Sequence, residues 1–434
     1  MSEVKYKDSG IDWIGEIPED WKILSNKDIL DTVYSGGTPD TNYPELYYIG
    51  GIYPFTTISD FTNNGKFIRK TLKKVTERGL HNRNLRLVEK GTILYSIYAS
   101  IGKVAICDID TTISQAILAL YYNDKQYSVY HYYVLESMYD YIQSYGRGGT
   151  QNNINKKIFE NLQVPIPPLP TQHRIAEYLD KVIPNLDKQI ESYEALSKKY
   201  KELKKSEIYE CVSKGLPDKR NSRVFRDSGI EWIGKIPEEW NIVKNSNVMH
   251  RVKDLIQEYN NETILSLSVI GMVDRYKYGL KGKTPRNYTG YQRIKKGDLV
   301  LCLFDTDVTP CCTGIAQEDG ITSPAYSRMY VDESIADRGY YYYWYTNIKN
   351  MDCLYKLAHN VRNSISASEF SKIKVPIPPL QEQQEIATYL DQKCTLYDSL
   401  SNLYQAKANK LKELKKSMIY EYVTGKKQVK ETTC

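Results

Sequence analysis

One stretch of this chain occurs twice, and that duplication limits its folds more than any other feature. The first copy runs from Val164-Pro165-Ile166-Pro167-Pro168-Leu169 through Ile175, Tyr178, Leu179 and Asp180 to Lys201-Glu202-Leu203-Lys204-Lys205-Ser206. The second runs from Val375-Pro376-Ile377-Pro378-Pro379-Leu380 through Ile386, Tyr389, Leu390 and Asp391 to Lys412-Glu413-Leu414-Lys415-Lys416-Ser417. Each matched pair is 211 positions apart, without a gap. Two such copies must share a local structure, and a surface that one needs covered the other needs covered too.

The prolines hold the lead-in extended and forbid an earlier helix. Beyond them apolar residues recur at steps of four and three, the rhythm of a coiled-coil seam. In the first copy they are Ile175, Leu179, Val182, Leu186, Tyr193, Leu196, Tyr200 and Leu203, with a break at Gln189. In the second they are Ile386, Leu390, Tyr397, Leu400, Tyr404, Leu411, Leu414 and Met418, with breaks at Lys393 and Lys407. So narrow a stripe needs one helical partner, and the other copy is at hand in the same chain. The expectation is an antiparallel pair held through Ile175, Leu179, Leu186, Leu196 and Leu203 against Ile386, Leu390, Leu400, Leu411 and Leu414, with domains at opposite ends. Pro184 is expected to kink or divide the first helix. From Ile175 to Glu210 the rise is about 54 Å, so the pair would act as a long spacer.

A second repeat opens each half. Asp8-Ser9-Gly10-Ile11-Asp12-Trp13-Ile14-Gly15-Glu16-Ile17-Pro18-Glu19-Asp20-Trp21 matches Asp227-Ser228-Gly229-Ile230-Glu231-Trp232-Ile233-Gly234-Lys235-Ile236-Pro237-Glu238-Glu239-Trp240 at an offset of 219. It reads as an irregular piece docked by its aromatics. Between the repeats lie two inserts, roughly 22–163 and 241–374, that resemble each other poorly. Each carries a short β-rich run after a Lys-Gly turn, at 91–97 and 297–303, and a helical stretch, Val129 to Ser144 and Ala336 to Lys349. The inserts read as mixed α+β domains, and polar Ser213 to Arg226 as a connector.

Bulk properties narrow the class. Net charge is +6 with 41% apolar residues, which permits a polyanionic partner without requiring one. The chain holds 39 Tyr against 7 Phe, which suits wet interfaces or reflects composition bias. The eight cysteines form no C-x-x-C pair and no metal-ligand spacing with the five histidines, so free thiols in a reducing cytosol are expected. No signal peptide and no bilayer-length apolar run are present, and a cytoplasmic location is expected.

The sequence contains no G-x-G-x-x-G or Walker A loop, H-E-x-x-H or G-x-S-x-G. An adenine-methyltransferase Asn/Asp-Pro-Pro-Tyr/Phe motif is missing as well, since Pro167-Pro168 and Pro378-Pro379 both lead into Leu. A nuclease-like trace at Pro39-Asp40 and Glu45-Leu46-Tyr47 has Tyr47 where a lysine is needed. A binder fits better than an enzyme, with no metal site. Cations that suit phosphates cluster in the first insert at Lys66, Arg69, Lys70, Lys73, Lys74, Arg78, His81, Arg83 and Arg86, and the alternative is a solvated face. The turn Gly36, Gly37, Thr38 offers backbone amides to a phosphate, or simply turns; Tyr98 and Lys103 complete the set. Arg147, Thr150, Gln151, Asn152 and Asn153 have the chemistry that reads base edges, as do Asn360, Arg362 and Asn363 at the matching place in the second half. The second insert adds Lys277, Lys281, Lys283, Arg286, Tyr288, Tyr291 and Arg293.

The doubled Val-Pro-Ile-Pro-Pro-Leu with its helix, and the doubled Gly-Ile-(Asp/Glu)-Trp-Ile-Gly-x-Ile-Pro-x-x-Trp, resemble the specificity (S) subunit of type I restriction–modification systems over nearly the whole chain. The second copy keeps Gln381-Glu382-Gln383 near the family's usual acidic-Gln pair, while Pro170-Thr171-Gln172 departs from it. The resemblance implies an α+β protein with an internal pseudo-twofold repeat: two mixed α/β target-recognition domains, separated by two long antiparallel conserved helices. The corresponding division is 1–163, first recognition domain; 164–215, first spacer helix; 216–225, connector; 226–374, second recognition domain; 375–425, second spacer helix; and 426–434, polar tail. It further implies a non-catalytic subunit that reads a split site in double-stranded DNA. Two modification subunits using S-adenosylmethionine, and restriction subunits using ATP and Mg, are the implied partners, with no cofactor on this chain. The gap between half-sites should follow spacer length. A non-catalytic scaffold joining two protein-binding domains is the alternative, and a stand-alone nuclease or methyltransferase a third.

Overall fold

Each Pro-Pro stretch is a short strand that turns at once into a long helix. The computed structural model describes residues 4–145, 154–268, 271–280, 285, 287–305, 313–351, 353 and 364–429. The long helices span Leu169–Lys214 and Leu380–Val423. Each starts directly after the second proline, six residues before the first expected seam position. Pro170 falls in the first turn, where its missing N–H leaves no bond unmade. Pro184 does not divide the first helix, which is continuous across an exposed proline.

The chain forms two units, residues 1–192 with 407–434, and residues 193–406. In the first, a hairpin of Tyr6–Asp8 and Glu16–Pro18 docks through buried Ile14, Ile17 and Trp21 rather than by aromatics alone. Asp8 caps its turn by accepting the Gly10 amide at 2.9 Å. Lys22–Ser25 then pairs antiparallel with Gln163–Ile166, so the insert leaves and returns through one two-stranded stem. Its main sheet has the order Leu30–Ser35, Ile117–Tyr122, Ile93–Ser96, Val104–Cys107, Phe67–Ile68. Both faces are buried. Leu118, Leu120, Ile93 and Tyr95 face the helical core, while Ile117, Ala119 and Leu94 pack with Phe61, Ile68 and Val88. Thr112–Ile113, Tyr53–Thr56 and Lys73–Val75 form a smaller sheet.

The second unit repeats this plan. Its hairpin is Phe225–Asp227 with Lys235–Pro237, and its stem Asn241–Lys244 with Lys374–Ile377. The main sheet has the order Met249–Val252, Ser327–Val331, Leu299–Leu301, Thr313–Ile315. That is the order of the first four strands of the other sheet, although the two inserts align poorly as sequences. The expected connector is a fixed segment. Ser213 and Lys214 finish the helix, Pro217–Arg220 is a helical turn, and Arg223 sits in an ion pair with Glu382.

The long helices run antiparallel in each unit. In the first, Lys415 meets Asp187 at 2.8 Å and the tilted rings of Tyr422 and Tyr178 pack with centroids 4.7 Å apart. In the second, Lys204 meets Asp398 at 2.6 Å, Ser197 bonds Ser401 at 3.0 Å, and Tyr200 packs on Tyr397 and Tyr404. The expected register holds at the outer ends, where Ile175, Leu179, Leu186, Ile386 and Leu390 are buried. It fails further along. Leu196, Leu400 and Leu411 are half-buried, and Leu203 and Leu414 are 39% and 47% exposed. The covered line instead passes Ile175, Leu186, Ser197 and Ile208, and Ile386, half-buried Tyr397, Ala408 and Ile419, each eleven residues apart. Eleven residues make three turns of about 3.67, close to a straight helix, whereas a strict seven-residue repeat drifts off the contact line by about 20° per heptad.

Tyrosine abundance has a structural use. The single Tyr130 hydroxyl proton is shared between the Pro165 and Val423 carbonyls, 2.9 and 3.0 Å away. In the second unit Tyr341 donates to Pro376 and Tyr340 to Val212, at 3.2 and 3.0 Å. These hydroxyls satisfy a strand carbonyl and a helix C-terminal carbonyl that burial would otherwise strand. Phenylalanine fills the same volume without that bond.

His131 lies on the helix Ser128–Ser137, fully buried, stacked on Tyr122 at 4.4 Å and paired with Gln126 at 2.9 Å. Burial pushes its pKa down to about 3. The unfolded chain takes up this proton near pH 6.5 and the folded chain does not. His131 therefore erodes stability as pH falls from about 6.5 toward 3, by up to about 1.4 kcal/mol per pH unit. We expect His131→Phe to gain on wild type with acidification. Urea midpoints at pH 7.5 and 5 that differ by the same amount for both proteins would refute a neutral buried His131.

Candidate nucleic-acid interface

The repeated frame fixes where the inserts attach. Gln172 and Gln383, 211 positions apart, are both buried. Gln172 donates to Pro167 O and accepts the Tyr127 amide; Gln383 donates to Pro378 O and accepts the Asp337 amide, all at 2.8–3.0 Å. Asn26 and Asn245 donate to Phe159 O and Phe370 O at 2.9 and 3.0 Å. Tyr133 and Tyr343 donate to Asp180 and Asp391 on the long helices. Unlike inserts are thus seated by like bonds.

Several cations of the first insert are free to meet an anion. Lys70, Lys73, Lys74 and Arg78 are exposed, with Lys73 and Lys74 on the small sheet. Arg69 and Lys90 share Asp108, and the Lys90 hydrogen bond leads in lowering its pKa. Arg83 donates to Thr38 O at 3.2 Å, and Arg86 lies over the Tyr34 ring. Lys103 donates to Thr62 at 2.8 Å, while Tyr98 is 38% exposed. His81 Nδ1 meets the Glu77 carbonyl in its own helix.

Two expectations are corrected. Lys66 points into a cleft of about 1270 Å³ rather than to open solvent. There it pairs with Asp180 and stands over Tyr132 and Tyr133. Burial lowers its pKa against the support of Asp180. In the same cleft Lys415 pairs with Glu136 and Asp187. Burial raises the Glu136 pKa; it also disfavours the Lys415 charge, but the two carboxylates raise that lysine overall. These groups brace the insert against the helices. The Gly36-Gly37 turn is no anion nest either, because its amides donate to Ile117 O and Ile113 O at 3.2 and 3.1 Å. A Cβ at Gly36 would lie 2.2 Å from the Ile113 carbonyl, so close packing dictates that glycine.

In the second unit Lys277 is exposed beside Tyr278. Tyr288 and Tyr291 pack with Tyr259 over Ile256, Ile264 and Ile321. The hydrogen bond that the neutral Tyr288 hydroxyl shares with Tyr276, 2.8 Å away, leads in pushing Tyr288 up to about 12. Arg293 is 3.9 Å from Asp254. Exposed Tyr276 and Tyr278 were missed in the sequence, where nothing separates them from the chain's many other tyrosines. Arg147, Thr150, Gln151, Asn152, Asn153, Lys281, Lys283, Arg286, Asn360, Arg362 and Asn363 lie outside the described residues. Among the described residues, no group of three or more His, Cys, Asp or Glu is arranged to hold a metal, and no helix is long and apolar enough to cross a membrane.

These features define a class of duplicated proteins in which two mixed domains, unlike in sequence, are seated on copies of one hairpin-and-helix frame. Residues 18–194 and 325–416, more than half of the chain, match the family described as Type I restriction modification DNA specificity domain, and the chain belongs to that family. The putative type I restriction enzyme MjaX specificity subunit of Methanocaldococcus jannaschii is 26% identical, over 96% of both chains. The MjaVIII specificity subunit of the same organism is 25% identical over 95% of this chain and 94% of its own. The fold also matches a chain solved in work on complex assembly and conformational transition of the type I R-M system. The TM-score is 0.64 at 16% identity, covering 94% of this chain and 98% of that one.

Proposed function

We infer that this chain is the DNA-reading, non-catalytic subunit of a type I restriction–modification complex. It recognises a split, asymmetric site and brings partner modification and restriction subunits to it. Two domains of one strand order but different surface chemistry, seated by the same bonds on duplicated helices, carry this reading. A duplicated seat supplies two equivalent attachments, and unlike inserts supply two different half-sites. S-adenosylmethionine, ATP and Mg belong on the partners. The test is methylation mapping after reconstitution with the modification subunits. An interrupted, asymmetric target is expected, and none from this chain alone with S-adenosylmethionine. A continuous palindrome, or methyl transfer by the isolated chain, would overturn the reading.

Phosphate contact has its own signature. Ala at Lys73 or Lys74 should weaken binding to all sequences alike and flatten the plot of log affinity against log salt by about one unit each. Titrations of one target and one random duplex at several salt concentrations measure this. A change confined to the target would assign these lysines to base reading instead.

A further inference from the structure

One inner strand of each main sheet is followed by the same unusual feature. After Ile93–Ser96 come Ile97, Tyr98 and Ala99, and Ala99 has φ +64°. After Leu299–Leu301 come Cys302, Leu303, Phe304 and Asp305, one residue more than in the first unit, and Asp305 has φ +46°. Left-handed backbone at a residue with a Cβ costs about 1–2 kcal/mol and is held only where the surroundings demand it. Two inserts with little sequence in common keep it one residue behind an aromatic ring.

A second feature recurs beside it. The Ile154 amide donates to Ile97 O at 3.2 Å, and the Ile365 amide donates to Leu303 O at 2.7 Å. Ile154 follows directly on Arg147–Asn153, and Ile365 follows closely on Asn360–Asn363, the stretches whose side chains suit base edges. In each unit an isoleucine amide thus bonds the backbone carbonyl one residue before the aromatic.

The surroundings then differ. Tyr98, 38% exposed, borders a cavity of about 460 Å³ together with Ser35, Gln115, Asn155 and Lys156, a lining rich in hydrogen-bonding groups. Phe304 is half-buried with Tyr326 stacked on it, centroids 5.8 Å apart. The backbone device is shared, and the chemistry beside it is not.

We propose that Tyr98 and Phe304 are the base-contacting aromatics of the two domains, each presented to its own half-site by the left-handed residue behind it. This rests on the DNA-reading function above. An aromatic ring gains its binding energy from the flat face or the exposed step of a base. Tyr98 adds a polar cavity that takes hydrogen-bonding edges. Phe304 with Tyr326 offers an apolar surface, suited to a thymine methyl or an unstacked step.

The test uses the full chain reconstituted with its modification subunits, on duplexes carrying the mapped target, single substitutions in either half, or a random sequence. Tyr98→Ala should weaken target binding by about 5- to 100-fold. It should flatten discrimination within the first domain's half-site only and leave the random duplex unchanged. Tyr98→Phe should keep most of the affinity. Phe304→Leu should show the same pattern on the other half-site. Wild-type affinity for Tyr98→Ala, or equal weakening on target and random duplexes, would overturn the proposal while the DNA-reading function stands. A wild-type complex without preference for any duplex would remove both, and the two failures are therefore separable.

Discussion

Glu382→Leu should destabilise the second unit by roughly 3–5 kcal/mol, the cost of leaving a buried charge without its partner. Arg223 and Glu382 have side chains 12% and 7% exposed and meet at 2.6 Å. The other Glu382 oxygen accepts the indole N–H of fully buried Trp240 at 3.1 Å. Loss of the carboxylate therefore strands a guanidinium and an indole donor at once. Glu239, 2.9 Å from Arg223 but 46% exposed, offsets only part of this. Gly215 caps the first long helix directly beneath the pair. It has φ +85°, and a Cβ there would lie 2.1 Å from the Arg223 guanidinium. Removing both charges in Glu382→Leu/Arg223→Met should recover most of the loss, because a matched apolar pair owes no desolvation. Denaturant unfolding of the four proteins measures the coupling. A Glu382→Leu protein as stable as wild type would show the pair to be ornamental. The first unit has Thr171 and Val4 at the matching positions, so the corresponding change there should have little effect.

Exchanging residues 22–163 for the same region of another family member should replace one half of the recognised sequence and leave the other half unaltered. The stem makes this feasible. Lys22 pairs with Ile166 and Ser25 with Gln163, so a transplanted domain enters and leaves through backbone hydrogen bonds indifferent to side chains. Its seat is equally general, because Tyr130 and Gln172 bind mostly main-chain groups of the frame. Methylation mapping of the reconstituted chimera reads the outcome directly. Changes in both half-sequences, or in neither, would contradict separate reading by the two domains.

The frame was legible because it is duplicated. The offset of 211 demanded two equivalent helices, and each apolar stripe demanded a partner, so the antiparallel pair followed from the residues. The hairpins were legible as units, though not as strands. Burial assigned on a seven-residue repeat failed at Leu203 and Leu414, because an eleven-residue spacing turns the contact line to Ser197 and Ala408 instead. At these two places small residues carry that line, and a search for large apolar residues passes over them.

Charge alone could not sort the cation cluster. Lys66 and Lys73 look alike as letters, yet one is drawn under the insert by Asp180, far along the chain, and the other stays on an open strand. Gly36 looked like a free turn until Ile113 and Ile117 took up its neighbourhood. The common strand order of the inserts was also hidden, since a sheet buried on both faces accepts any apolar residues that fill it. The sequence by itself determined the duplication, the helix pair and the family resemblance, because repeats and motifs are local patterns that survive without coordinates. Only the tertiary structure decided which cations are spent on ion pairs and which amides are already bonded. It also showed that an inner strand of each main sheet is followed by an aromatic backed by a left-handed residue. Those facts depend on distances between residues far apart in the chain and on backbone angles that residue type alone does not set.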